Sequence, residues 1–208
     1  MHQEALTEKG LKLFPKLAKF DDFYLAGGTA LALQIGHRIS VDFDLFCSDS
    51  ISKNLLEKVE VVFSEQEANI SPLVNDSDEL SVMVDTVKIT VLKYPFPVLN
   101  KFSDLNGIKS LDVLELAAAK AYTISRRSAS KDYVDLFFIL SGKYADLNQI
   151  IELSDKKYSF RFNSRIFLEQ LIYQDDIDKT EIIFLKDPIS RKEICDYFIQ
   201  EIKKIKLS

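Results

Sequence analysis

Residues 23–46 constrain the fold more than any other stretch of the chain. A short apolar run, Phe23-Tyr24-Leu25-Ala26, ends at the pair Gly27-Gly28, and helical spacing then carries Leu31, Ala32, Leu33 and Ile35 from Thr29 to a stop at Gly36. From Val41 to Phe46 the pattern changes. Apolar and acidic residues alternate in Val41-Asp42-Phe43-Asp44-Leu45-Phe46, the period of a strand with one buried face. Asp42 and Asp44 are therefore expected to point the same way.

Carboxylates at i and i+2 on one strand lie within reach of a common cation. Mg²⁺ takes hard oxygen ligands, commonly one or two carboxylates plus substrate phosphates. A glycine pair at a strand end lets the backbone approach phosphate, and the following helix N-terminus adds unpaired N–H groups and a favourable dipole. Thr29 can donate its hydroxyl to the same phosphate. Nucleotidyl transfer needs the triphosphate charge neutralised and the attacking and leaving oxygens held in line, which these parts supply. Each part alone is unspecific, and Asp-Phe-Asp is also compatible with a solvated edge strand. The ordered combination is what points to nucleotide chemistry.

The rest of the chain supports a globular α/β first half and a helical second half. Leu11, Phe14, Leu17 and Phe20 fall at helical spacing, and a helix capped near Ser52 carries Leu55, Leu56, Val59, Val62 and Phe63. Strand-like runs follow at about 69–75, 80–84 and 87–93, the last two joined by a hairpin turn at Asp85-Thr86. Tyr94-Pro95-Phe96-Pro97 is expected to end the sheet, since proline cannot donate to a ladder. Helices are expected near 111–127, 131–141, 146–154, 164–173 and 190–205, with a short strand at Glu181–Leu185. The expected organisation is a core over residues 1–105 and a helical region over 106–208.

Composition narrows the function classes. At 208 residues with 47% apolar content the chain can bury a full core, and Cys47 and Cys195 show neither a paired framework nor a zinc spacing, so two buried free thiols are expected. No apolar run approaches the roughly 20 residues of a membrane helix, and a cytoplasmic protein is expected. With 27 basic against 32 acidic residues the formal charge is −5, so any nucleic-acid contact must be local. Basic clusters occur at Arg126, Arg127 and Lys131, at Lys156, Lys157, Arg161 and Arg165, and at Lys203, Lys204 and Lys206. The last reads best as a solvated helix face.

The segments Ala26-Gly27-Gly28-Thr29-Ala30-Leu31 and His37-Arg38-Ile39-Ser40-Val41-Asp42-Phe43-Asp44-Leu45-Phe46 resemble the DNA polymerase β-type nucleotidyltransferase superfamily. More narrowly they resemble its AbiEii/AbiGii toxin family, and the likeness continues through Lys93-Tyr94-Pro95-Phe96-Pro97, Lys120, Arg126 and Lys131-Asp132-Tyr133-Val134-Asp135-Leu136. The resemblance implies a small mixed sheet flanked by helices, Mg²⁺ and an NTP, and transfer of a nucleotide to an RNA, tRNA or protein acceptor. It also implies an antitoxin counterpart, since relatives occur as toxins of toxin–antitoxin or phage-defence pairs.

Read residue by residue, Gly27, Gly28 and Thr29 cradle phosphate and Asp42 and Asp44 hold Mg²⁺. Lys120, in the small-residue stretch Ala117–Ala121, reads either as a triphosphate contact or as a lysine snorkelling from a packed helix; the resemblance favours the contact. Asp132 and Asp135 share a helix face, where Ser130 can serve as N-cap and acids suit the dipole; the resemblance favours a site role for Lys131 and Asp132. His37 reads as structural, and Arg38 as a weak contact to a phosphate or to Asp42. Against the superfamily pattern, Thr90 stands where a third carboxylate is expected. A hydroxyl replaces neither an anionic ligand nor a base, so Asp132, ahead of Asp85, is expected to complete the acidic site. The alternative is a catalytically degenerate fold that binds a nucleotide or a partner. Acceptor specificity is expected in the helical half, from Lys156, Lys157, Arg161 and Arg165.

Overall fold

A computed structural model describes residues 1–64, 68–173, 177–178 and 180–205. Its centre is a mixed sheet of seven strands in the order β3-β4-β5-β2-β1-β7-β6, with helices packed around it. The strands are β1 (Tyr24–Ala26), β2 (Phe43–Cys47), β3 (Ile70–Asn75), β4 (Glu79–Val84), β5 (Val87–Lys93), β6 (Ser103–Leu105) and β7 (Ile108–Ser110). The helices are α1 (Glu8–Leu13), α2 (Gly27–Ile35), α3 (Leu55–Ser64), α4 (Val113–Ile124), α5 (Ser130–Ser141), α6 (Leu147–Tyr158), α7 (Ser164–Ile172) and α8 (Arg191–Ile202).

Strand β2 lies antiparallel to β1 and parallel to β5, which sets Ala26, Asp44 and Thr90 side by side across three central strands. The expected alternation holds only from Phe43 on: Phe43, Leu45 and Cys47 are buried and Asp44 and Phe46 half-buried on the opposite face, whereas Val41 and Asp42 precede the strand and are exposed. On β5, Thr90 and Leu92 alternate with buried Ile89 and Val91 in the same way. Two adjacent strands thus build one polar-to-aromatic face from period-two patterning alone.

Several elements differ from the sequence expectation: α2 starts at Gly27 rather than Thr29, β2 starts at Phe43 rather than Val41, and α6 runs on to Tyr158. The first helix runs only to Leu13 and tightens into a 3-10 helix over Phe14–Lys19, because Pro15 has no N–H for the helical ladder. The sheet does not end at the prolines. It resumes in the hairpin β6–β7, whose turn Asn106-Gly107 has positive φ at both residues, 56° and 85°, and β7 pairs parallel to β1. Glu181–Leu185 is not a strand: the segment makes one isolated bridge from Phe184 to Arg38 and covers residues 37–39.

The expected division after residue 105 falls at that hairpin, and one continuous apolar cluster runs from Leu6 to Phe198 through both halves. Cys47 and Cys195 are free thiols, but only Cys47 is buried. Lys206 lies outside the described residues, and among those described no helix is long and apolar enough to cross a membrane.

Candidate active site

The glycine pair is required by the site for a reason beyond backbone approach. Gly27 has φ +68°, and a Cβ there would stand 2.1 Å from Asp44 Oδ2. At Gly28 a Cβ would stand 2.4 Å from an Arg38 guanidinium nitrogen. The two glycines therefore make room for the Asp44 carboxylate and the Arg38 guanidinium near the N-terminus of α2. No side chain caps that helix, since Ala26 holds the N-cap position, so its first N–H groups are open to a ligand. Gly27→Ala is expected to cost about 1–2 kcal/mol for the left-handed backbone. By displacing Asp44 it should also cut activity at least about 100-fold, measured as transfer rate beside urea denaturation.

A cavity of about 320 Å³ opens at this point, lined by Gly28, Asp42, Asp44, Lys120, Arg127 and Lys131, with Thr29, Arg38 and Asp132 also in its wall. Of the residues expected to bind phosphate, nucleotide or metal, only Gly27 does not border it; Gly27 borders a second, adjoining cavity. A larger cavity of about 490 Å³ lies beside α5 and α8, but its lining of Tyr133, Val134, Ile182, Phe184 and Ile194 suits apolar contact rather than phosphate.

Asp42 and Asp44 both face the polar cavity. Asp42 Oδ1 accepts the Lys88 N–H at 3.1 Å. Burial pushes the Asp44 carboxyl up, Lys120 opposes the rise and Asp42 adds to it; among the described residues no ion pair holds Asp44. A carboxylate disfavoured by burial and by a like charge is relieved by a cation, so the pair fits a divalent metal. Among the described residues no group of three or more acid, histidine or cysteine side chains gathers as a metal site. Asp85, the other acid considered, sits in the β4–β5 turn away from both cavities.

Several side chains are used differently from the expectation. The Thr29 hydroxyl donates to the Asp42 carbonyl and lies 2.7 Å from Ser40 Oγ, so its proton fixes the acidic strand and is not free for phosphate. Arg38 does not pair with Asp42: from the cavity wall its Nε and Nη2 donate to Asp135 at 2.6 and 3.0 Å. Asp132 does not turn to Asp42 and Asp44. Its oxygens meet Lys120 at 2.6 Å and Arg127 at 3.5 Å, because two cations attract it more than two like charges do. Ser130 is not the N-cap of α5; Ala129 is, and Asp178 Oδ1 accepts the Ser130 N–H at 3.0 Å. Hydrogen bonds from Ser130 and Thr180 hold the Asp178 carboxyl down to about 2.

Asp135 is the residue the sequence undervalued. It is fully buried and receives His37 at 2.8 Å, Arg38, and Lys120 at 2.6 Å. Burial would raise its carboxyl, but Arg38 and Lys120 hold it well below the usual range. Burial likewise works against the Lys120 ammonium, and Asp135 and Asp132 outweigh it, so Lys120 stays charged. The local signal, Asp132 and Asp135 three apart, showed a shared face; of the cations that reach Asp135, Lys120 lies on another helix and Arg38 is 97 residues away.

His37 titrates in the opposite sense. Burial lowers its pKa, and its Nδ1 is buried without a hydrogen-bond partner. The folded protein therefore keeps His37 neutral while the unfolded chain binds a proton near pH 6.5. Stability from this residue is complete above that value and is lost as pH falls toward the folded pKa, with a slope of up to about 1.4 kcal/mol per pH unit. Urea midpoints of wild type and His37→Leu across mildly acidic pH should diverge accordingly; parallel curves would exclude this role.

A mixed sheet that presents two carboxylates beside an open helix N-terminus and a group of cations has the parts that the nucleotidyltransferase class requires. The chain belongs to the AbiEii toxin family within that class: residues 11–206 match the family model described as "Nucleotidyl transferase AbiEii toxin, Type IV TA system". An uncharacterized protein of Aquifex aeolicus is 31% identical over 194 residues, covering 88% of each chain. In fold the chain is similar to JHP933 of Helicobacter pylori, with a TM-score of 0.58 at 17% identity over 96% of this chain and 94% of that one. It is also similar to MenT4, a nucleotidyltransferase toxin of Mycobacterium tuberculosis, with a TM-score of 0.54 at 15% identity over 89% and 77%.

Proposed function

We propose that this toxin-like nucleotidyltransferase moves a nucleotide from an NTP to an acceptor hydroxyl, with RNA, tRNA ends included, as the acceptor class and Mg²⁺ as the metal. The observation that carries the reading is the polar cavity where Asp42, Asp44, the uncapped α2 N-terminus and four basic side chains converge. Asp42 and Asp44 would hold the cation, which when bound neutralises triphosphate charge and orients the reacting oxygens. Gly28 and the first N–H groups of α2 take phosphate oxygens. Lys120, held in place by Asp132 and Asp135, and the exposed Arg127 and Lys131 take the remaining charge.

The acceptor oxygen bonds to the α-phosphorus as the bond from that phosphorus to the bridging oxygen breaks. Pyrophosphate leaves and the hydroxyl proton passes to an Asp44 oxygen. Asp132 acts through Lys120 rather than on the reacting atoms. A toxin of this family implies an antitoxin counterpart, which we place among the partners.

The test is incubation with each labelled NTP, Mg²⁺ and total RNA or lysate, with and without a chelator. Label on RNA that the chelator abolishes is the expected result. Thr90, set beside Asp44 where an acid would serve as base, favours the second reading, a fold that binds nucleotide without turning it over. Nucleotide binding with no label on any acceptor would establish that reading instead.

A further inference from the structure

Asp44 borders two adjoining cavities. The second is a space of about 390 Å³ that shares Gly28, Asp44, Lys120, Arg127 and Asp132 with the polar cavity but otherwise has a different lining. Here Phe46, Thr90, Leu92, Tyr94 and Tyr122 form the surface, with Arg126 and Arg127 at the rim. Phe46 stacks on Tyr94 at 4.6 Å, and the Arg126 guanidinium lies 3.5 Å from the Tyr122 ring centre.

Nucleotidyl transfer puts the attacking and leaving oxygens roughly in line. If the triphosphate occupies the polar cavity, pyrophosphate leaves from there, and the adjoining aromatic cavity is the space left for the acceptor. The surface continues beyond the rim. Arg126 Nη2 donates to the Arg161 carbonyl at 2.5 Å, which draws the turn Ser159–Arg161 to the cavity mouth. There the Arg161 guanidinium sits 5.6 Å from Phe96 and 5.8 Å from Phe160, a phenylalanine that is 91% exposed. The other basic residues of this region are spoken for: Lys157 is buried against Glu115, while Lys156 and Arg165 pair with Glu152 and Glu169.

Guanidinium groups alternating with aromatic faces are the chemistry that holds a single-stranded nucleic acid, through phosphate charge and base stacking. We propose that Tyr122, Arg126, Arg161 and Phe160 form the acceptor track. It admits the single-stranded end of an RNA, with the terminal nucleotide in the aromatic cavity and a preceding base on Phe160. This rests on the nucleotidyl-transfer reading for the direction of attack. Because the overall charge is −5, the affinity is confined to this strip.

The test measures binding of a short labelled single-stranded RNA and of the same sequence as a blunt duplex, by anisotropy at several salt concentrations. It uses the full chain, Phe160→Ala, Arg161→Ala and, as an exposed control elsewhere, Val61→Ala. The single strand should bind more tightly than the duplex. Phe160→Ala should weaken it about 5- to 100-fold. Arg161→Ala should weaken it and lower the salt slope by about one, while Val61→Ala leaves it unchanged. Equal affinity in wild type, Phe160→Ala and Arg161→Ala, or equal affinity for duplex, overturns the track even where label transfer succeeds. Phe160-dependent binding with no transfer to any RNA supports the track and removes the transfer reading.

Discussion

Asp44→Asn is expected to lower nucleotide transfer about 10³-fold or more while leaving the protein at least as stable as wild type. The substitution keeps the size and the planar shape of the side chain and removes only its charge. In the native site that charge is unfavourable for folding: burial, with Asp42 beside it, raises the carboxyl above its ordinary value, and Lys120 only partly compensates. A group whose folded pKa is raised binds its proton more readily in the native state, so its ionised form costs stability once pH exceeds the unfolded value. Asparagine removes that cost. Urea denaturation near neutral pH should give an equal or higher midpoint, and label transfer should fall to background. A variant that loses stability in step with activity would show that Asp44 serves the fold, and the metal reading would fail with it.

What the sequence made legible follows from what local patterning can encode. Alternation at Phe43, Asp44 and Leu45 set the face of the acidic strand, and Gly36, with φ +60°, stopped α2 where expected. The hairpin β6–β7 carries its own local signal in Asn106-Gly107, while the prolines at 95 and 97 signal a strand end. They end β5 without ending the sheet, because a strand added on the far side of β1 needs no ladder to β5. The site was legible in its members and not in its pairings. Lys120, Arg38, Asp132 and Asp135 were all in view, yet which cation meets which acid depends on how α2, α4 and α5 pack. Helical periodicity gives the face of each helix but not the facing partner. Ser130 shows the same limit, since its N–H meets Asp178, 48 residues away. The small residues at Ala117, Ala118 and Ala121 are the one packing clue the sequence offered: all three are buried where α4 passes close to its neighbours, and Lys120 reaches the acids from there.

Asp135→Ala is expected to be the most destabilising single change at the site, costing about 3–5 kcal/mol. Removing this carboxylate leaves the buried Arg38 with only the Ile39 carbonyl, and takes from Lys120 one of its two acids and from His37 its partner. Lys120→Met should cost less, because Asp135 then keeps Arg38 and His37. The ranking separates two views of the cluster. If Asp135 is the hub that holds Lys120 and Arg38 beneath the glycine turn, the double variant Arg38→Met, Asp135→Ala should recover part of the loss, since no buried guanidinium is then left unpaired. If the cluster were a set of independent solvated charges, each single change would cost under about 1 kcal/mol and the losses would add. Acid titration gives a second reading of the same residue. Asp135 is held well below its ordinary value, so its contribution is complete above about pH 4 and is lost only as pH falls through the depressed folded value. Wild type should therefore lose stability steeply at low pH, and Asp135→Ala, already lacking the contribution, should show a flatter acid limb. Function depends on this hub at one remove, because Lys120 can meet a triphosphate only where Asp132 and Asp135 have fixed it.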